Sequence, residues 1–338
     1  MRKTGLLYDE RFLRHCTGSG HPEAPERLLA VWKGLEEGGL LPCLEIVRAH
    51  RSKFKWIEAV HAPKHLLRFE EACLYEMNEF DNPDNQMCRD SFEISVLAVG
   101  GVIETVRLMM EGALDNAFCA VRPPGHHAEP GKALGFCFFN NVAIAARYLQ
   151  IEWGIERVGI VDIDAHHGNG TQRIFERDPC VFYYSIHEHP SFSFPGTGRE
   201  FEKGQEEGVG FTLNSTVLPG GGDAEYRELI QRDLIPAFER FQPQVILVSA
   251  GFDAHKDDDM SGLHLSTEGF SWIMERIVEL ADKYSEGRIV SVLEGGYALD
   301  RLPELIRNHV GILLTGPRSR CISEQSLEGG VLCSLTSQ

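Results

Sequence analysis

The chain has 338 residues, enough for one large α/β domain or two smaller ones, and 43% hydrophobic with 25% charged residues excludes wholesale disorder. Its 33 Lys and Arg against 50 Asp and Glu leave a net charge of −17. That balance argues against coating nucleic acid or binding an anionic membrane, because both need a basic surface, and it suits neutral or cationic partners.

In chain order, apolar residues at helical spacing predict helices over 91–111 and 141–151, either side of a short strand at 116–121 (NAFCAV). Strands follow at 157–162 (RVGIVD) and 181–186 (VFYYSI), then a helix over 224–241. A strand at 244–249 (QVILVS), a helix over 267–284, a strand at 288–293 (RIVSVL) and a helix over 302–314 complete the pattern. Strands alternating with helices imply a parallel sheet covered on both faces, as one domain over 1–315. Residues 316–338 are Ser- and Gly-rich without periodicity and read as a flexible tail. No apolar run approaches the roughly 20 residues of a membrane span, and MRKTGLLYDERF lacks the apolar stretch of a signal peptide. The nine cysteines are scattered without a CxxC pair, which reads as reduced thiols in the cytoplasm.

Ligands of such sheets bind outside the carboxyl ends of the strands, and four unusual clusters fall there. After 157–162 comes VDIDAHHGNGTQ. Asp162, Asp164 and His166 are spaced by two, so an extended backbone would project all three from one face. Such side chains at the end of a buried strand are costly unless something binds them. Asp253, in SAGFDAHKDDD after 244–249, completes an Asp–His–Asp set. Three protein ligands with one open position are the pattern of a catalytic zinc. After 116–121, VRPPGHHAEPGKALGFCFFNN carries His126 and His127 on a stiff loop, as general acid and base, as further ligands, or as structural residues. Gly135 offers a tight turn and Phe136 an apolar wall. After 288–293, LEGGYALD has Gly295 for close backbone approach and Tyr297, either an oxyanion donor or an ordinary half-buried tyrosine. With Phe194 of SFSFPGTG as a second wall, the set suits hydrolysis of an acyl group, an amide above all, on a methylene chain. Asp257, Asp258 and Asp259 read either as a solvated loop or as an acidic mouth that concentrates cationic substrates.

Taken together, HPEAPERL (21–28), RPPGHHA (122–128), GFCFFNN (135–141), DIDAHHGNGTQ (162–172), FPGTG (194–198), AGFDAH (250–255) and EGGY (294–297) resemble the zinc-dependent histone deacetylase family, which includes acetylpolyamine amidohydrolases and acetoin-utilisation proteins. Asn169 in HHGNG is closer to the class II branch than to class I, which usually carries Asp there. The resemblance implies an arginase-like α/β fold with an eight-stranded parallel sheet flanked by helices. It implies zinc held by Asp164, His166 and Asp253, with iron(II) suited to the same ligands. His127 is then the base, His126 its electrostatic or acid partner, and Tyr297 polarises the acetyl carbonyl. Asp162 would orient His126 and help hold potassium with Asp164, His166, Ser185 and Ile186. A second potassium set maps to Phe175, Asp178, Val181 and Phe211. Arg27 matches the arginine of the family's acetate-release cavity, and Asp84 in DNPDNQ takes the place of its substrate-gripping rim aspartate. Met260 stands where acetylpolyamine members carry Glu, which weighs against a polyamine substrate.

The expected activity is therefore removal of an acetyl group from acetyl-lysine in a peptide, or from a small acetylated amine. The rivals are a two-manganese ureohydrolase of the same fold and a catalytically silent metal-binding protein. Oligomeric state is left open, a homo-oligomer included.

Overall fold

The computed structural model describes residues 1–317, so the expected tail over 316–338 lies almost wholly outside the described residues. Its strands are β1 (Thr4–Leu7), β2 (Leu44–Val47), β3 (Glu79–Phe80), β4 (Asn82–Gln86), β5 (Asn116–Cys119), β6 (Val158–Asp162), β7 (Val181–Glu188), β8 (Thr212–Val217), β9 (Val245–Ala250) and β10 (Ile289–Leu293). Eight of them form one sheet in the order β2-β1-β5-β10-β9-β6-β7-β8, and β3 with β4 makes a separate hairpin. Every neighbouring pair in the large sheet is parallel. The chain thus builds both flanks of the sheet first and threads β9 and β10 between them last. Every residue of β5, β6, β7, β9 and β10 is buried, which is why these strands read as continuous apolar runs.

The helices are α1 (Glu26–Glu37), α2 (Phe54–Glu58), α3 (Pro63–Leu74), α4 (Ser91–Met110), α5 (Asn141–Trp153), α6 (Asn169–Phe175), α7 (Asp223–Leu229), α8 (Ile235–Phe241), α9 (Thr267–Tyr284) and α10 (Leu302–Thr315). They pack in two groups that flank the sheet. In one, α1 lies on α10 and α10 on α9; in the other, α4 lies on α5 and α3. The α1–α10 crossing is close because Gly34 lacks a side chain: a Cβ there would sit 2.2 Å from the Pro303 carbonyl oxygen. Asn140 caps α5 by accepting from Ala143 N–H, and Ser266 caps α9 by accepting from Gly269 N–H.

The structure departs from the sequence reading in two ways. The single helix expected over 224–241 is α7 and α8 with a π turn, Ile230–Leu234, between them. Pro236 lacks an N–H and would clash with the carbonyl four residues earlier, so the chain widens ahead of it. Strands β1, β2 and β8 showed no signal as single elements. β1 and β2 are only four residues long, and β2 and β8 each mix buried with part-exposed positions. Among the described residues no helix is long and apolar enough to cross a membrane.

One buried group ties the sheet to its cover. His309 of α10 lies against the rings of Phe118 and Phe252, each 5.5 Å away between centroids, and its Nε2 is 2.8 Å from Ser291 Oγ on β10. Burial pushes its pKa down to about 3. An unfolded histidine titrates near 6.5, so this depressed group contributes stability above that pH and loses it as pH falls toward 3, on the order of 5 kcal/mol in all. His309→Gln should accordingly flatten the fall in unfolding free energy between about pH 6.5 and 4. Urea titrations across that range check it, and an unchanged slope would clear His309 of the acid loss.

Candidate metal and catalytic site

The four central strands, β5, β10, β9 and β6, end side by side, and each is followed by one of the motif loops. Asp162 is the last residue of β6, level with Ser249 on β9 and Ser185 on β7. The chain leaves the sheet there, so Asp162, Asp164 and His166 do not continue on one strand face as their spacing suggested. Asp162 stays out of the Asp164–His166 cluster, although its Oδ1 accepts from Asp164 N–H at 3.2 Å. Its Oδ2 is 3.1 Å from His126 Nδ1 and accepts from the Tyr183 hydroxyl at 3.0 Å.

Asp164, His166 and Asp253 do converge. Their ligand atoms lie within 4.8 Å of one another and all three residues are buried. His166 Nδ1 is 3.1 Å from both Asp164 Oδ1 and Asp253 Oδ2, while its Nε2–H donates to the Met260 carbonyl at 3.1 Å. That outer bond aims the Nδ1 lone pair inward, as in ligating histidines generally. The carboxylates are braced by backbone: Asp253 Oδ1 accepts from Ala165 N–H (2.8 Å) and Asp164 Oδ2 from Gly295 N–H (2.8 Å). A Cβ on Gly295 would fall 2.2 Å from Asp253 Oδ2, so EGGY needs glycine there for lack of room. Burial raises the pKa of Asp253 to about 6, with Asp164 adding its repulsion; Asp164 itself is held low, burial being outweighed by His126 and His166. Two buried, mutually repelling carboxylates with one imidazole fit a divalent cation, whose charge answers both burial and repulsion.

The two adjacent histidines differ sharply. His126 is raised to about 10, because Asp164 and Asp162 outweigh its burial. His127 is pushed well below its ordinary value by burial and by the charges of His126 and His166. Their rings are 3.9 Å apart, and His127 Nδ1–H donates to Asn169 Oδ1 at 2.8 Å. Their surroundings thus push the two imidazoles in opposite directions, His126 toward the protonated form and His127 toward the neutral one.

Above the set opens a cavity of about 500 Å³ lined by Phe136, Phe194, Gly135, Gly295, Met260, Asp84, His126, His127 and Tyr297 among others. Phe194 packs edge-on to His127 at 5.0 Å, and its loop is tied down where Thr197 Oγ1 meets His167 Nδ1 at 2.9 Å. Gly135 and Phe136 both have positive φ (54° and 68°), the second a strained value for phenylalanine. Phe136 is held in it by Asn85 Oδ1, which accepts its N–H at 2.8 Å, and by His21, whose ring meets it at 4.7 Å. Asp84 stands at the mouth on β4, its carbonyl 3.1 Å from His21 Nε2. Tyr297 is half-buried between Phe136, 6.0 Å away, and the Arg27 guanidinium, 4.8 Å from its ring. Burial keeps its phenol well above the ordinary range despite Arg27, so it stays protonated.

Arg27 touches neither mouth cavity. It is fully buried beneath Tyr297, donating Nε–H to Gly296 O at 2.8 Å and Nη1–H to Glu23 Oε1 at 3.2 Å. The acidic run needs correction. Asp257, Asp258 and Asp259 line a neighbouring cavity of about 680 Å³, and Asp258 is not solvated: it is buried and accepts from Met260 (3.0 Å), Tyr297 (2.6 Å) and Ala298 (2.8 Å) N–H. Asp257 pairs with Arg301 at 2.7 Å. Glu294 also escaped the sequence reading. Its Oε2 accepts from Gly125 N–H (2.7 Å) and His126 N–H (3.1 Å), fixing the histidine loop to β10, and burial lifts its pKa to about 7.

Comparison with known proteins matches residues 21–313 to the Histone deacetylase domain. The chain is 37% identical to "Histone deacetylase 5" of Arabidopsis thaliana over 93% of its own length, yet spans about half (49%) of that relative. It is 38% identical to "Probable deacetylase" of Archaeoglobus fulgidus, covering 88% of this chain and 82% of the relative. The crystal structure of the HDA15 HD domain superposes with a TM-score of 0.87 at 32% identity, covering 93% of this chain and 89% of that one.

Asp253→Asn should weaken zinc binding by about 10²-fold or more while the fold survives, because the sheet does not depend on that carboxylate. Zinc titration against a chromophoric chelator, with far-UV circular dichroism as control, tests the assignment; wild-type affinity would remove Asp253 from the ligand set.

Proposed function

This chain belongs to the Histone deacetylase domain family, and from that premise we propose that it is a zinc-dependent amidohydrolase removing the acetyl group from acetyl-lysine in a peptide. What supports the reading most is the buried Asp164–His166–Asp253 set, of which Asp164 and His166 line a cavity walled by Phe136 and Phe194. A small acetylated amine is the alternative substrate, and Met260 in place of an acidic residue weighs against a polycation. The two groups of close metal-competent side chains among the described residues share no member, which supports one ion over a two-manganese cluster.

Zinc, or iron(II) on the same ligands, supplies Lewis acidity toward the amide carbonyl and makes a water more acidic. The chain's own groups do the rest. His127, neutral, takes a proton from the attacking water at Nε2. His126, cationic beside Asp162, lowers the energy of the negative charge that builds up and can give a proton to the departing amine. The Tyr297 phenol donates to the carbonyl oxygen as it becomes an oxyanion. Phe136 and Phe194 hold the methylene chain and exclude water, and Asp84 at the mouth is placed to accept from a substrate main chain. Arg27, beneath Tyr297, takes the family's acetate-release role in this reading. A structural potassium beside Asp162, Asp164, His166, Ser185 and Ile186 belongs to it as well, supported by the level ends of β6 and β7. The set of Phe175, Asp178, Val181 and Phe211 has weaker support. Three of its carbonyls, those of Phe175, Asp178 and Phe211, already accept main-chain N–H groups, and the Asp178 carboxylate pairs with Arg147. The free cysteines among the described residues suit a cytoplasmic setting.

Acetate release from an acetyl-lysine peptide compared with N-acetylated small amines tests the proposal. No release from either by zinc-loaded protein ends it. Within the reading, Tyr297→Phe should lower kcat by about 10²–10³ with zinc content unchanged, the usual effect of losing one oxyanion donor. Asp258→Asn should also lower kcat, by about 10-fold, since an amide cannot accept all three N–H groups that hold the Tyr297 turn. Asp257→Asn and Asp259→Asn should leave kcat within about two-fold, since exposed charges couple weakly. An equal rise in KM for a basic acetylated peptide from all three changes, with kcat unmoved, would restore the acidic mouth as a unit.

A further inference from the structure

Glu129, two residues after His127 on the histidine loop, is absent from every role above, yet its side chain reaches the site. Glu129 Oε1 accepts from Asn169 Nδ2 at 2.9 Å, and the Asn169 Oδ1 on the same amide accepts from His127 Nδ1 at 2.8 Å. Asn169 is buried at the start of α6, and its only other contact through Nδ2 is a long one, 3.4 Å, to the His127 carbonyl.

The donor and acceptor chemistry makes this a directed chain. A carboxylate only accepts, so the amide atom facing Glu129 must be the NH2 group. The oxygen is then the atom facing His127, and because it too only accepts, Nδ1 must carry the hydrogen. A neutral imidazole protonated at Nδ1 keeps its lone pair on Nε2. His126 needs no such arrangement: its partner Asp162 is itself a carboxylate and presents an acceptor whichever way it turns. An asparagine presents an acceptor in only one of two amide orientations. Reversed, it would offer N–H to Nδ1, move the ring hydrogen to Nε2 and remove the lone pair from that atom.

We propose that Glu129 is a positioning residue that fixes the Asn169 amide and so sets the His127 tautomer that can accept a proton at Nε2. This rests on the deacetylase reading for its kinetic consequence and on geometry alone for the tautomer. It also accounts for asparagine at 169: an aspartate there would set a second carboxylate 2.9 Å from Glu129.

The test uses zinc-loaded wild type, Glu129→Gln, Glu129→Ala, Asn169→Asp and the Glu129→Gln/Asn169→Asp double variant, with zinc content and melting temperature measured for each. Histidine-selective ¹⁵N labelling, with the His127 signals assigned from a His127→Ala sample, reads the tautomer without reference to activity. Wild type and Glu129→Gln should show Nδ1–H, since a glutamine carbonyl can still accept, and Glu129→Ala should show a mixture. On an acetyl-lysine peptide, Glu129→Ala should lose about 10-fold in kcat with KM within about two-fold, the scale of an outer-shell loss, and Glu129→Gln should restore most of it. Asn169→Asp should be impaired alone and improved by adding Glu129→Gln. A pure Nδ1–H tautomer in Glu129→Ala, or an Asn169→Asp enzyme as fast as wild type and indifferent to Glu129→Gln, overturns the proposal. If wild type releases no acetate, the deacetylase reading falls while the tautomer measurement still decides the role of Glu129.

Discussion

The site is governed by the cost of burying carboxylates. Asp162, Asp164, Asp253, Asp258 and Glu294 are all buried at the carboxyl edge of the central strands, where isolated charges would be expensive. Each is answered differently. Glu294 and Asp258 accept backbone N–H groups and so become clamps, one on the histidine loop, the other on the tyrosine turn. Asp162 is answered by an imidazole and a phenol. Asp164 accepts from two backbone N–H groups and Asp253 from one, and the pair share one histidine, an arrangement that a bound cation would complete. The functional part of the molecule is the part where the protein has not neutralised its own charge.

The same accounting separates two side chains that are chemically identical and adjacent in sequence. His126 and His127 share a loop and a ring contact, but one faces carboxylates and the other an amide. The field of the first then suppresses protonation of the second. Two roles come from one residue type because the partners differ, although both partners, Asp162 and Asn169, come from the one segment that joins β6 to α6.

Much of this was legible in the chain. The five strands read from periodicity are buried along their whole length, so packing and pattern agree. Asp164, His166, the histidine pair, Phe136, Phe194 and Tyr297 are brought to one cavity, with Asp253 clustered behind Asp164 and His166, because residues after parallel strands meet at one edge. What stayed hidden has a common cause. Glu294, Asp258, Glu23 and Glu129 act on backbone groups or side chains up to 169 residues away, and no local spacing announces such a bond. Asp258 was further disguised by its neighbours: three aspartates in a row look like one solvated patch, although the middle one is turned inward. The spacing of Asp162 with Asp164 and His166 misled because alternation holds only while the strand lasts, and β6 stops at Asp162.

The strand order has a consequence for biosynthesis. The middle of the sheet, β9 and β10, is made last, after their eventual neighbours β5 and β6. A nascent chain that has emerged only through α8 holds two half-sheets whose inner edges, Asn116–Cys119 and Val158–Asp162, have their backbone groups unpaired and their apolar side chains uncovered. It also lacks Asp253, so only two members of the Asp164–His166–Asp253 cluster are present in it. The cluster is completed once β9 docks on β6, whereas the sheet closes only when β10 enters between β9 and β5, and a ribosome that stalls before β9 leaves an intermediate with two unpaired inner edges and an incomplete cluster.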